Sequence, residues 1–155
     1  MSDPQDHVDV RMHPPVLAVI HLAAALLLGW LLHFAYPFPA WVHWMGWLIV
    51  MAGFVLAFSA VRRFSSVHTT LDPHGSVSFV VTSGPYRFTR NPIYVGYLSL
   101  TVGIPLIFGN LWGVLLAPLQ IVLFNRLVIQ AEEAYLSRKF AHVYLDYKAR
   151  VRRWL

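Results

Sequence analysis

The chain has 155 residues, 57% hydrophobic and only 12% charged, with no cysteine and a formal charge of +5. Soluble globular chains carry about 25% charged residues, so this composition excludes an ordinary water-soluble domain and points to a chain solvated partly by lipid. The missing cysteine excludes disulfides, thiolate nucleophiles and cysteine metal sites, and the positive-inside rule accounts for the basic balance better than nucleic acid does.

Residues 1–14 are polar, with Asp3, Asp6, Asp9, Pro4 and Pro14, and read as a tail or interfacial segment rather than a secretory leader. No Asp, Glu, Lys or Arg occurs over residues 12–61 or 91–125. A spanning helix needs roughly 20 mostly apolar residues, so the first gap holds two spans and the second one long span or two short ones. Span one is expected over 15–36. It is broken by Pro37-Phe38-Pro39, because proline lacks a donor and restricts its predecessor. Span two is expected over 40–61, opened by an interfacial belt of Trp41, Trp44 and Trp47 and ended by Arg62-Arg63. Gly46 and Gly53 within it suit close helix packing.

Residues 64–91 form the longest polar stretch, rich in turn formers (Asp72-Pro73, His74-Gly75, Ser83-Gly84-Pro85), with residues 77–81 able to run extended. Span three is expected over 92–108. Pro92 sits in its first turn, where the missing donor costs nothing, and Pro105 kinks or ends it. After a turn at Gly109-Asn110, span four is expected over 111–129. The remaining segment is charged and amphipathic, with Ala134, Leu136, Phe140, Val143 and Tyr147 as its apolar positions. It reads as a helix leaving the membrane over the polar loop. The fold class is thus all-α and polytopic: about four transmembrane helices plus a cytoplasmic amphipathic C-terminal helix. The expected organisation is a tail (1–14), two N-terminal spans (15–61) and a core (62–155). Four spans put all twelve Lys and Arg on one face or at its edge, so both termini are expected in the cytoplasm.

Two constellations lie on that face. Gly84-Pro85-Tyr86-Arg87-Phe88-Thr89-Arg90-Asn91-Pro92-Ile93-Tyr94-Val95-Gly96 offers a tight turn, guanidinium groups, an amide, phenols and a helix N-terminus that favours anions. It reads equally as a basic loop anchoring a helix at the headgroups. Glu132-Glu133 suits an ammonium or neighbouring arginines, and equally the start of the C-terminal helix, where acids are favoured. The eight histidines show no ligand spacing, so no metal is expected. The glycines match no Walker or Rossmann pattern.

Taken in order, TSGPYRFTRNPIYVGY, an apolar hairpin, and EEAYLSRKFAHVYLDY resemble the isoprenylcysteine carboxyl methyltransferase family, to which phospholipid methyltransferases are related. The family pattern runs Gly-Pro-Tyr, Arg-His-Pro-x-Tyr-x-Gly, Glu-Glu-x-x-Leu and Phe-Gly-x-x-Tyr-x-x-Tyr, and the resemblance covers residues 62–153. It implies a membrane methyltransferase, here a short bacterial-type member of the inner membrane, that uses S-adenosylmethionine in a cytosolic pocket closed by the C-terminal helix. By that resemblance Phe79, Val80 and Val81 line the cofactor with backbone groups. Tyr86, Asn91, Pro92 and Tyr94 contact it, and Glu132 binds its amino group. Arg90 and Glu133 are the remaining candidates for a catalytic role.

The implied partners are a hydrophobic or lipid-like acceptor and membrane lipid, with no nucleic acid or obligate protein partner. A non-catalytic module that binds anionic lipid or a partner through its basic face is the competing reading. Three departures stand out. Asn91 replaces a histidine and cannot titrate. Ala141 replaces the glycine after Phe140. Val128 occupies the place of an arginine that contacts isoprenylcysteine substrates.

Overall fold

The computed structural model describes residues 11–32, 38–66 and 79–155. The expected break at Pro37, the turns at 72–75 and the first part of the 77–81 run lie outside the described residues. The described residues form five α-helices: α1 (Pro14–Leu31), α2 (Ala40–Ser66), α3 (Pro92–Ile107), α4 (Trp112–Phe124) and α5 (Gln130–Arg150). A 3-10 turn (Gly84–Arg87) precedes α3, and a π-helical segment (Asn125–Ile129) joins α4 to α5. Residues 79–82 take no regular secondary structure.

The charge-free gaps become helices because each is apolar around its whole circumference, and in lipid only an internally hydrogen-bonded backbone is tolerated. Three helical stretches are long and apolar enough to cross a bilayer: Pro14–Leu31, Ala40–Arg63 and the continuous Trp112–Arg150. The fourth, α3, has 16 residues, about 24 Å at 1.5 Å per residue. It packs against α1, α2 and α4, so its neighbours rather than lipid cover much of it. The protein is an all-α integral membrane protein.

Helices α2 and α3 meet on glycines seven residues apart. A Cβ on Gly103 would lie 2.8 Å from the Gly46 carbonyl oxygen and 2.7 Å from Val50 Cγ2, and one on Gly53 would collide with Ser99. Small residues of this kind let helix backbones approach inside lipid. At the uncharged end, Asn110 caps α4 by accepting from Trp112 N (2.8 Å) and donates to Ala25 O of α1 (2.9 Å). His43 Nδ1 donates to Ile107 O at the end of α3 (2.8 Å).

Two expectations change. The C-terminal helix does not start separately after span four. No breaker stands between Asn125 and Gln130, and the helix passes through the π segment instead. That segment redirects a carbonyl, and Leu127 O accepts from Arg11 N (3.1 Å), docking residues 11–13 of the expected tail. Nor is the buried face of α5 the stripe of Ala134, Leu136, Phe140, Val143 and Tyr147. Ala134 and Val143 are exposed, and the buried aromatics are Tyr135, Tyr144 and Tyr147. Ala141, with φ 43° and ψ −122°, kinks the helix and resets the register of the residues after it, Val143 among them.

The packed core lies at the charged end. One cluster joins Leu17 and Ala18 of α1 to Tyr94, Phe124, Val128, Ile129 and Tyr135. A second joins Ala60 of α2 to Val80, Val81, Tyr86, Tyr144 and Tyr147.

Candidate active site

The site is built where the loop before α3 meets the end of the chain. Gly84 opens the 3-10 turn with φ +63°, a conformation that glycine adopts without strain. Pro85 and Tyr86 then turn inward and are buried. Tyr147 Oη donates to Tyr86 O (2.7 Å), fixing the turn to α5.

The next three residues grip the C-terminal tail. Thr89 Oγ1 and Asn91 Nδ2 both donate to Arg153 O (3.0 Å each), and Arg90 N donates to Arg152 O (2.9 Å). Arg90 Nη1 donates to Lys148 O and Val151 O (2.9 Å each), satisfying carbonyls at the end of α5 that the helix leaves open. Trp154 Nε1 donates to Asn125 Oδ1 in the π segment (3.2 Å). The last residues therefore form a strap across the start of α3.

The two adjacent carboxylates diverge because neighbouring helical positions point about 100° apart. Glu133 is buried and faces the strap. Arg90 Nη2 donates to its Oε1 (2.8 Å), Arg153 binds both oxygens (2.9 and 2.8 Å), and Lys148 Nζ lies 3.2 Å away. Burial by itself would raise its pKa. The Arg153 hydrogen bonds and the charges of Arg90 and Arg153 outweigh burial and hold the carboxyl at about 2. Glu132 faces the helix bundle. It accepts from Tyr94 Oη at 2.6 Å, and among the described residues no salt bridge joins it to a cation. Burial first, and the charge of Glu133 second, raise its pKa against the opposing Tyr94 hydrogen bond.

Tyrosines surround Glu132. Tyr94 stacks on Phe124 at 5.2 Å, which sets its hydroxyl. Burial, then the charges of Tyr147 and Glu132, keep the Tyr86 hydroxyl protonated well above the usual range. Tyr144 is likewise shifted upward, by burial first and then by Glu133, with Glu132 also contributing. The arrangement is a cluster of buried tyrosines beside one carboxylate that, among the described residues, pairs with no cation, and a second carboxylate that pairs with three.

The structure thus brings Tyr86, Asn91, Pro92, Tyr94 and Glu132 to one end of the bundle, all but the partly covered Glu132 buried. Val80 and Val81 are buried behind Tyr86, whereas Phe79 is 57% exposed. Arg90 and Glu133 are bonded to each other. Thr89, Tyr144, Tyr147 and Arg153 also enter the site, although the sequence assigns none of them a role there. Tyr144 and Tyr147 carried a signal, the Tyr-x-x-Tyr spacing after Phe140-Ala141. Thr89 and Arg153 carried none.

The profile of the phospholipid methyltransferase family matches residues 41–143, a stretch that includes both the Gly84-to-Tyr94 segment and Glu132-Glu133. Protein-S-isoprenylcysteine O-methyltransferase of Mus musculus is 34% identical over 116 residues, covering 72% of this chain and 40% of that protein. The Homo sapiens protein of the same name is 33% identical over the same shares. The Schizosaccharomyces pombe one is 32% identical over 84 residues, 54% of this chain and 36% of its own. The chain therefore spans about two fifths of the length of the curated relatives it matches. No solved structure matches. With two thirds of its length inside the profile, and both the Gly84-to-Tyr94 segment and Glu132-Glu133 included, the chain belongs to the phospholipid methyltransferase family.

Proposed function

We propose that this protein is an S-adenosylmethionine-dependent methyltransferase that acts on a hydrophobic or lipid-like acceptor, with its site on the cytoplasmic face. The observation that carries the reading is the contrast between the two carboxylates. On an end of the molecule crowded with arginines, Glu133 takes Arg90, Arg153 and Lys148, and Glu132 is left with a tyrosine hydroxyl. A partly buried carboxylate without a counter-ion suits an ammonium group, such as the amino group of the cofactor. The residues present therefore fit the cofactor's amino group.

When bound, the cofactor supplies a methyl carbon on a sulfonium sulfur, taken by an acceptor lone pair as the carbon–sulfur electrons return to sulfur. The protein's part is to position the reactants and exclude water. Glu132 holds the ammonium, and the Tyr94 hydroxyl fixes the carboxylate's orientation. The rings of Tyr86 and Tyr94 offer faces that attract a cation. Asn91 and Pro92 shape the floor. Arg90 and Glu133 act as positioning residues. The Arg90 guanidinium is engaged with two carbonyls and Glu133, and a carboxyl held at about 2 stays ionised at neutral pH and is a poor proton acceptor. A carboxylate or thiolate acceptor needs no base. An amine would lose its proton to water.

Calorimetry in detergent tests the reading. Wild type binds S-adenosylmethionine in the micromolar range, and Glu132→Ala loses binding while its melting temperature holds. An absence of binding at millimolar cofactor would sink the proposal. Exposed Arg62, Arg87, Arg150 and Arg152 favour a second reading, an anionic-lipid-binding module. That reading requires salt-sensitive lipid binding indifferent to Glu132→Ala.

A further inference from the structure

Gln120 lies in α4, within the apolar run of the spanning stretch Trp112–Arg150. Its side chain is fully buried, and among the described residues neither Oε1 nor Nε2 has a hydrogen-bond partner. Water is absent from a bilayer core, so an unpaired amide there is expensive. A leucine would fill the position without that penalty.

The amide faces the bundle interior, not lipid. Gly113 and Phe124 lie seven and four residues away on the same helical face. Gly113 sits against the Thr101 backbone of α3, and Phe124 stacks on Tyr94 and Tyr97. Across the bundle, Leu17 of α1 packs in the same cluster as Phe124. One turn deeper on each helix lie two buried polar side chains, His21 and Gln120. His21 Nδ1 donates to Leu17 O (2.9 Å). Gln120 is twelve residues along a continuous helix from Glu132, about 18 Å.

We infer that Gln120 is a binding residue for the methyl acceptor: its amide receives a carbonyl-bearing polar group of a membrane-soluble molecule whose reactive end reaches the Tyr94–Glu132 level. The ligand class follows from the amide, which offers one donor group and one acceptor. It suits an amide or a hydroxy-carbonyl group carried within about 18 Å of the methylated atom, on an otherwise apolar body. The inference rests on the methyltransferase reading above.

The test is Gln120→Leu, with Gln120→Met as an unbranched companion. Three quantities are measured: melting temperature in detergent without ligand, S-adenosylmethionine affinity by calorimetry, and incorporation of labelled methyl from that cofactor into the lipid fraction of native membranes. A residue kept for a ligand is a burden without it, so both variants melt above wild type. Cofactor affinity is unchanged, and the apparent KM for membranes rises about tenfold or more, the scale of a lost hydrogen bond to a buried amide. Lower melting temperatures in both variants would mean that the amide holds the helices together, and would overturn the inference. An unchanged KM in a variant that binds cofactor normally overturns it alone. Failure of wild type to bind cofactor sinks the methyltransferase reading itself.

Discussion

Replacing Ala141 by glycine should make the protein more stable, although glycine in a helix is ordinarily a loss. Ala141 has φ 43° and ψ −122°, a combination in which an L residue's Cβ crowds its own backbone and which glycine adopts freely. Residues held in such regions carry about 1–3 kcal/mol of strain. Glycine removes that strain and adds about 0.5–1 kcal/mol of backbone entropy loss on folding. The net gain is about 0.5–2 kcal/mol. For a chain of this size 1 kcal/mol moves the melting temperature by about 2–4 °C, so Ala141→Gly should melt about 1–8 °C higher. The control is Ala134→Gly, exposed in the same helix with ordinary helical geometry, which should lose about 0.5–1 kcal/mol. Both are read by intrinsic tryptophan fluorescence in one detergent. If Ala141→Gly melts at or below wild type, in step with the control, the kink is not strained and the reasoning fails. The kink also turns Tyr144 and Tyr147 toward Tyr86, so the variant should retain cofactor binding.

Two further outcomes concern the packing around the site. Glu133 has a folded-state carboxyl at about 2 against an ordinary 4.5. Because the folded value is the lower one, its stabilisation is complete above about pH 4.5 and drains away as pH falls toward 2. Melting temperature across that window should fall in wild type and be flatter in Glu133→Gln, and equal slopes would contradict the network. Gly103→Ala places a methyl 2.7 Å from Val50 Cγ2 and 2.8 Å from Gly46 O. The α2–α3 contact must open, for a loss of about 1–3 kcal/mol. An unaltered melting curve would show that the helices have room to spare.

Much of this architecture is legible in the sequence because lipid simplifies the code. Two stretches without a single charge can only be spans, and the placement of twelve Lys and Arg sets which ends of the helices lie together. That step alone brings Tyr86, Tyr94 and Glu132 to one level. The details that decide roles are less visible. Asn125-Arg126-Leu127-Val128-Ile129 reads as ordinary helix, and nothing local announces the π segment that receives Arg11 and Trp154. Gln120 sits in a run so apolar that its one amide passes for a tolerated polar residue. Its isolation is a property of what three other helices fail to offer it. Ala141 was visible as a departure from a glycine, but only its φ says that the departure carries strain.

The most consequential illegible feature is the division between Glu132 and Glu133. In sequence they are twins. In space one reaches a strap formed twenty residues later and the other a tyrosine on α3. The difference matters because this end of the protein is strongly basic, and any accessible carboxylate there should collect a cation. Glu133 collects three: Arg90, held between it and the carbonyls of Lys148 and Val151, together with Arg153 and Lys148. The Tyr94 hydroxyl then supplies Glu132 with a hydrogen bond but no charge. On the proposed reading, a site for a cationic group on a cationic face depends on residues that do not line it. The strap's role is then electrostatic as much as mechanical: it draws the arginines toward Glu133, so Glu132 is left for a ligand.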